Sequence, residues 1–329
     1  MQPTTSRQEG HVIHTLDSRL KPELPALHGI LVPLDGSELA EQALPVGAAH
    51  ARRTGATLHL VSVHEPVPQT AMPPDYPMPV LEMEREVHEE RVRYLETVAA
   101  STRASLPTPV VATVVTGGPA ESLSEYVETH PVGLVVMTTH GRGGLSRLWL
   151  GSVADRMLRR LAVPVLLLHP DEAPRPTEFH HLLIALDGEI EEPVLAAVER
   201  LRSDGASLRC TLTRVVEPAL PILSGLAARP AHLPPDWNAR REEDARKYLA
   251  RLADRLGGRG WGVVSWQVLV GRGVAGQVLE LARAIRPDAI VVGTHGARGL
   301  ERLLLGSVAD KIVRGSRVPV LVGPLPSCT

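Results

Sequence analysis

Along the chain, short runs of apolar residues alternate with longer stretches whose apolar positions recur every three or four residues. Residues 29–34, 58–63, 110–115, 134–137 and 165–168 are such runs, too short for buried helices and rich in Val and Leu, so they predict strands. Residues 38–54, 82–105, 120–129 and 152–161 carry the helical period between them. The Pro-rich stretch 66–79 is predicted to be irregular. The same order then returns, with strands predicted at 181–186, 207–216, 263–270, 289–292 and 320–322, a loop at 218–235 and a helix at 240–256. Continuous apolar strands separated by amphipathic helices predict an α/β fold, with parallel sheet covered on both faces.

The return is a duplication. The stretch from Thr139 to Asp155, THGRGGLSRLWLGSVAD, aligns without a gap to the stretch from Thr294 to Asp310, THGARGLERLLLGSVAD, at an offset of 155. The match continues in Val163-Pro164-Val165-Leu166 against Val318-Pro319-Val320-Leu321. Upstream, Leu34-Asp35-Gly36 recurs as Leu186-Asp187-Gly188 at an offset of 152, so small insertions separate the copies. The 329 residues therefore divide into a tail (1–27), a first domain (28–170), a Pro-rich linker (171–178) and a second domain (179–325). An exposed apolar edge strand is a liability, so residues 165–168 are expected to pair with 320–322 about an internal pseudo-twofold. That would make a dimer within one chain, and further homodimerisation is compatible with the pattern.

Composition then removes several classes. A net charge of -2 and an aromatic content of 3% give no support to a nucleic-acid partner. Cys210 and Cys328 make neither a disulfide framework nor a metal set. No apolar run is long enough to span a bilayer and the first ten residues carry no signal-type apolar stretch, so a soluble, cytoplasmic protein without membrane contact is expected.

In an open parallel sheet, ligands sit beyond the carboxyl ends of the strands. Asp35 and Asp187 follow the first strand of each copy, and the glycine loop after the fourth strand leads to Gly151-Ser152 or Gly306-Ser307 at a helix start. Glycine lets backbone N–H groups approach an anion, and a helix start adds unpaired donors and a positive dipole end. The serine can cap the helix or donate to a phosphate. The aspartate can accept from a base amino group or a ribose hydroxyl. Each feature alone is often only a turn. Both together, at one edge and in both copies, favour a nucleotide-type site.

The spacing Gly-x2-Gly-x9-Gly-Ser at the end of an apolar strand resembles the universal stress protein family. Gly293, Gly296, Gly306 and Ser307 fit it in full, whereas in the first copy Thr138 stands where the first glycine belongs, ahead of Gly141, Gly151 and Ser152. The resemblance implies two tandem open parallel five-stranded sheets with helices on both faces, Rossmann-like and adenine nucleotide alpha hydrolase-like. It also implies ATP, ADP or AMP as cofactor, with Mg²⁺ as an accompanying ion. By position, it places Pro33, Leu34, Asp35, Ser37, Val63, Met137 and Thr138 near the ligand in the first copy, together with His140, Gly141, Arg142, Gly143, Gly151, Ser152 and Val153. In the second copy the corresponding residues are Ala185, Leu186, Asp187, Val215, Val292 and Gly293, then His295, Gly296, Ala297, Arg298, Gly306, Ser307 and Val308. Both copies are expected to bind, the second on its fuller glycine motif, although Glu189 replaces Ser37 there. The implied role is stress-response regulation through nucleotide binding. A slow Mg-dependent ATPase and a nucleotide-free interaction scaffold are the alternatives.

Other signals are weaker. The stretch from Gly271 to Gly276, GRGVAG, spells a dinucleotide fingerprint but follows the third strand, and no acidic residue ends the strand after it. No Walker-type loop, Ser/His/Asp triad or metal-ligand set emerges. His140 and His295 have no sequence partner, so no catalytic residue is assigned.

Overall fold

The structure, a computed structural model, describes residues 27–66, 77–139, 150–169, 177–188, 191–201, 208–218, 234, 236–293 and 305–323. The first half runs β1 (Gly29–Pro33), α1 (Glu38–Glu41), α2 (Leu44–Thr54), β2 (Thr57–His64), α3 (Pro77–Ser105), β3 (Val110–Thr116), α4 (Pro119–Thr129), β4 (Leu134–Thr138), α5 (Ser152–Arg160) and β5 (Val165–Leu168). The second runs β6 (His181–Ala185), α6 (Glu192–Leu201), β7 (Arg209–Val216), α7 (Trp237–Gly257), β8 (Val263–Val270), α8 (Val274–Ile285), β9 (Ala289–Val292), α9 (Ser307–Gly315) and β10 (Val320–Val322).

Each half is a five-stranded parallel sheet, as its apolar runs and helices predict, but the halves do not form separate sheets. Their last strands pair edge to edge, giving one sheet in the order β3-β2-β1-β4-β5-β10-β9-β6-β7-β8. The β5–β10 pair is antiparallel, with Leu166 opposite Leu321 and Val165 opposite Val322, which is the pairing expected for these two strands. All other strand pairs among the described residues are parallel.

Side-chain alternation along the strands divides the core into two slabs, and each slab runs through both halves. On one face, Ile30, Leu58, Leu60, Val136, Ile184, Leu212 and Leu321 lie with Val46, Leu95, Val198 and Leu249 of the covering helices. On the other, Leu31, Val61, Val135, Leu167, Leu183 and Ile290 lie with Leu123, Met157, Val278 and Ile312. A fully buried side chain of this size contributes roughly 1.5–3 kcal/mol, so the slabs dominate the stability of the seam. Polar groups also cross it. Arg53 Nη2 donates to the Leu201 carbonyl at 3.1 Å, and the His50 ring meets Phe179 edge-on at 5.5 Å.

Two local expectations are corrected. The helical period over 38–54 is broken into α1 and α2, with Gln42 and Ala43 donating to the Leu39 and Ala40 carbonyls in a tight turn. Pro45 has no N–H for an uninterrupted helix, and it sits in the first turn of α2, where none is needed. Likewise α3 begins at Pro77, inside the stretch predicted to be irregular, because prolines 77 and 79 both fall in its first turn. The tail to residue 26, residues 170–176 of the linker region and Ser207 lie outside the described residues.

Candidate functional site

Connections from β1 lead to α1 and α2 on one face of the sheet, while α5, after β4, lies on the other. The strand order reverses between β1 and β4, and again between β6 and β9. Neighbouring strands whose connections leave on opposite faces open a crevice beyond their carboxyl ends. The two aspartates and the two Gly-Ser helix starts flank these two crevices.

In the first, Leu34 extends β1 by donating its N–H to the Val61 carbonyl at 2.8 Å. Gly36 then turns the chain at φ 82, in the left-handed region that favours glycine. Asp35 is held by Ser37, whose N–H and hydroxyl donate to Oδ1 at 2.9 and 2.5 Å. The Ser37 oxygen also accepts from Ala40 N at 3.2 Å and caps α1, so Ser37 builds the turn that presents the aspartate. Across the crevice, Thr139 N–H bonds the Leu168 carbonyl at 2.9 Å and Gly151 N–H bonds the Thr139 carbonyl at 2.7 Å. These bonds tie the start of α5 to the end of β4. Gly151 is the N-cap, with no side chain to satisfy the helix donors, and Ser152 follows in an exposed position. Pro33, Val63 and Val153 are partly buried, while Met137 and Thr138 are buried.

The second crevice repeats this frame. Leu186 N–H bonds the Thr213 carbonyl at 2.9 Å, Asp187 follows, and Gly188 turns the chain at φ 91. Gly306 caps α9 without a side-chain bond, and Ser307 and Val308 are exposed after it. Ala185, Val215 and Gly293 are partly buried at the strand ends and Val292 is buried. His140, Gly141, Arg142, Gly143, His295, Gly296, Ala297, Arg298 and Glu189 lie outside the described residues.

The helices α3 and α7 add polar groups that the glycine and aspartate motifs did not indicate. Tyr94 donates to Glu41 at 2.8 Å, and Tyr248 donates to Glu191 at 2.7 Å, where Arg255 also bonds. Burial first, then the Glu191 contact, pushes the Tyr248 phenol well above its ordinary range. In the first half Arg91 Nη1 donates to Ser62 Oγ at 3.1 Å, and the His64 and His88 rings meet edge-on at 5.4 Å. Burial, His88 and Arg91 depress the His64 pKa, against Glu84. The available sequence signal was the matched pair Tyr94 and Tyr248, offset by 154 within the two long amphipathic helices.

An open parallel α/β unit written twice, with a strand-order crevice in each copy, defines a tandem doubly wound protein. The universal stress protein family matches residues 27–169 and again 178–324, and the chain belongs to that family. The universal stress protein Rv2005c of Mycobacterium tuberculosis is 30% identical over 311 residues, which covers 90% of this chain and 96% of that one. A universal stress protein of Mycolicibacterium smegmatis is 28% identical over 302 residues, covering 90% and 96%. Among solved structures, a universal stress protein from Archaeoglobus fulgidus superposes with a TM-score of 0.65 at 20% identity, over 90% of this chain and 98% of its own. That likeness is one of fold.

Proposed function

We propose that the chain binds ATP or a related adenine nucleotide at the crevice its fold repeats, and that it acts as a regulatory binding protein in a stress response. One observation carries the reading: in each half a strand-end aspartate and an uncapped Gly-Ser helix start converge on the reversal of strand order. The donor set fits a phosphorylated ligand. The first N–H groups of α5 and α9 have no side-chain cap, and both helices carry an exposed serine at the first position. Gly151-Ser152 and Gly306-Ser307 would hold phosphate oxygens, while Asp35 and Asp187 would accept from the ribose or base. Hydroxyl and backbone donors stabilise such an anion without activating water, so turnover is expected to be slow or nil. Among the described residues, no group of three or more His, Cys, Asp or Glu gathers to hold a metal. An accompanying Mg²⁺ would be held chiefly by the phosphates and water, with one or two carboxylates at most.

Calorimetry with ATP, ADP, AMP and cyclic AMP tests the reading, alongside nucleotide released from the purified chain. Binding is expected in the wild type and is expected to fall at least tenfold when Gly151 and Gly306 are both replaced by Val. No heat with any nucleotide, and none released on denaturation, would remove the reading.

A further inference from the structure

The sheet ends in β3 on one side and β8 on the other, and the two edges differ. Val110 lies beside Leu58, and Val264 beside the counterpart Cys210, so β3 and β8 correspond at an offset of 154, as Tyr94 and Tyr248 do. Leu58 N–H bonds the Pro109 carbonyl and Val263 N–H bonds the Leu208 carbonyl. Backbone groups alternate sides from there, so Val110 and Thr116 turn theirs outward on β3, and Val264 and Val270 do so on β8.

On β3 side chains take these outward carbonyls. Arg103 Nε donates to the Val110 carbonyl at 3.2 Å, and its Nη1 is held by Glu96 at 3.1 Å. At the other end Ser122 Oγ lies 3.5 Å from the Thr116 carbonyl. In the second half the same offset puts Ala250, Gly257 and Gly276 where Glu96, Arg103 and Ser122 stand, and none of them has a side chain that could do this. A cleft of about 210 Å³ opens instead, between the Ala250, Ala253 and Gly257 face of α7 and Val264 and Trp266 of β8. Asp254 is the charged residue of its lining, and it is exposed.

β8 is also without the devices that stop edges from pairing. It carries no charge and no proline, and its register against β7 runs without a bulge. Val264, Trp266, Val268 and Val270 present a row of outward donors and acceptors that another extended backbone satisfies. The row is self-complementary. About a twofold axis through the sheet, β8 and the β8 of a second copy run antiparallel, with Val264 opposite Val270 and Trp266 opposite Val268. No charge meets a like charge along that pair, and the small residues of α7 leave room for the side chains the second strand brings. The chain already joins equivalent edges in this way, β5 to β10.

We propose that β8 is a homodimer interface at which two copies of this chain join their sheets edge to edge, and that Glu96, Arg103 and Ser122 keep β3 from pairing likewise, so that assembly stops at the dimer. The nucleotide crevices take no part in it.

Sedimentation velocity of the full chain across the micromolar range tests the proposal, together with hydrogen exchange of the β8 amides. The wild type is expected at twice the chain mass, with the Trp266 and Val268 amides gaining protection as concentration rises. Ala250→Glu/Gly257→Arg rebuilds the clasp of the first half and is expected to sediment as a monomer. A Cβ at Gly257 meets nothing within 4 Å, so this variant is expected to melt where the wild type does when both are dilute. Val268→Pro removes an outward donor and none toward β7, and it is expected to give the monomer by a second route. A monomeric wild type, a dimer that survives both variants, or a dimer whose β8 amides gain no protection would each overturn the proposal. A monomer whose β8 amides are already protected would also overturn it, and would show that a segment of the same chain covers the edge.

Discussion

His50 is enclosed at the seam between the halves, its Nδ1 at 3.0 Å from the Val46 carbonyl. Burial holds its pKa down to about 3, with Arg53 adding to the shift and the Val46 carbonyl opposing it. An unfolded chain takes up this proton near the ordinary value of 6.5, so between 6.5 and about 3 the unfolded state binds more protons and stability falls as pH falls. At about 1.4 kcal/mol per unit the loss runs to a few kcal/mol across that window. Urea midpoints measured from pH 7 down to 4.5 are expected to drop less steeply in His50→Leu than in the wild type. An identical slope would show that His50 is not the group responsible. His59, His64 and His181 are depressed in the same direction, each first by burial, so the variant keeps part of the slope. At this scale, Asp35 and Gly36 were legible in the sequence because a turn is local. The Arg91/Ser62 pair and the Arg214/Tyr248 stack were not, since each joins a strand to a helix distant along the chain.

Helices and strands were read from period and punctuation, and the misreadings came from proline. A proline inside a periodic stretch interrupts a helix or starts one, and the choice depends on where the preceding turn closes. Gly47 shows what tertiary packing adds. A Cβ there would lie 2.6 Å from Val32 Cγ2 and 3.5 Å from Leu58 Cδ1, so α2 rests on the sheet through a glycine. Gly47→Leu is expected to destabilise the chain by about 1–3 kcal/mol through overpacking, read as a fall in the urea midpoint. An unchanged midpoint would mean that α2 moves away freely. The helix starts of α5 and α9 were legible as Gly-Ser steps, whereas the Gly151 to Thr139 bond that fixes the first against β4 was not.

The whole molecule is held at its centre by apolar contact more than by charge. Asp155 and Arg159 form a bidentate pair on α5, and on α9 Arg314 Nε donates to both Asp310 carboxylate oxygens. Hydrogen bonding to Asp155 raises the Arg159 pKa, and Asp310 of the other half adds to it. Such partly exposed pairs contribute about 1 kcal/mol or less, whereas truncating a buried leucine costs about 2–5 kcal/mol. Leu321→Ala is therefore expected to lower stability several times more than Arg159→Ala in denaturant titrations, and comparable losses would place the seam's strength in its charges. Because both core slabs pass through the seam, heating is expected to give one calorimetric transition, and two resolved transitions would show halves that melt alone. The antiparallel β5–β10 pair reverses strand direction at the centre of the sheet. The carboxyl ends of the two halves therefore point opposite ways, and the openings lie at opposite margins of the molecule. No single small molecule can bridge them, and a protein docked over one leaves the other accessible.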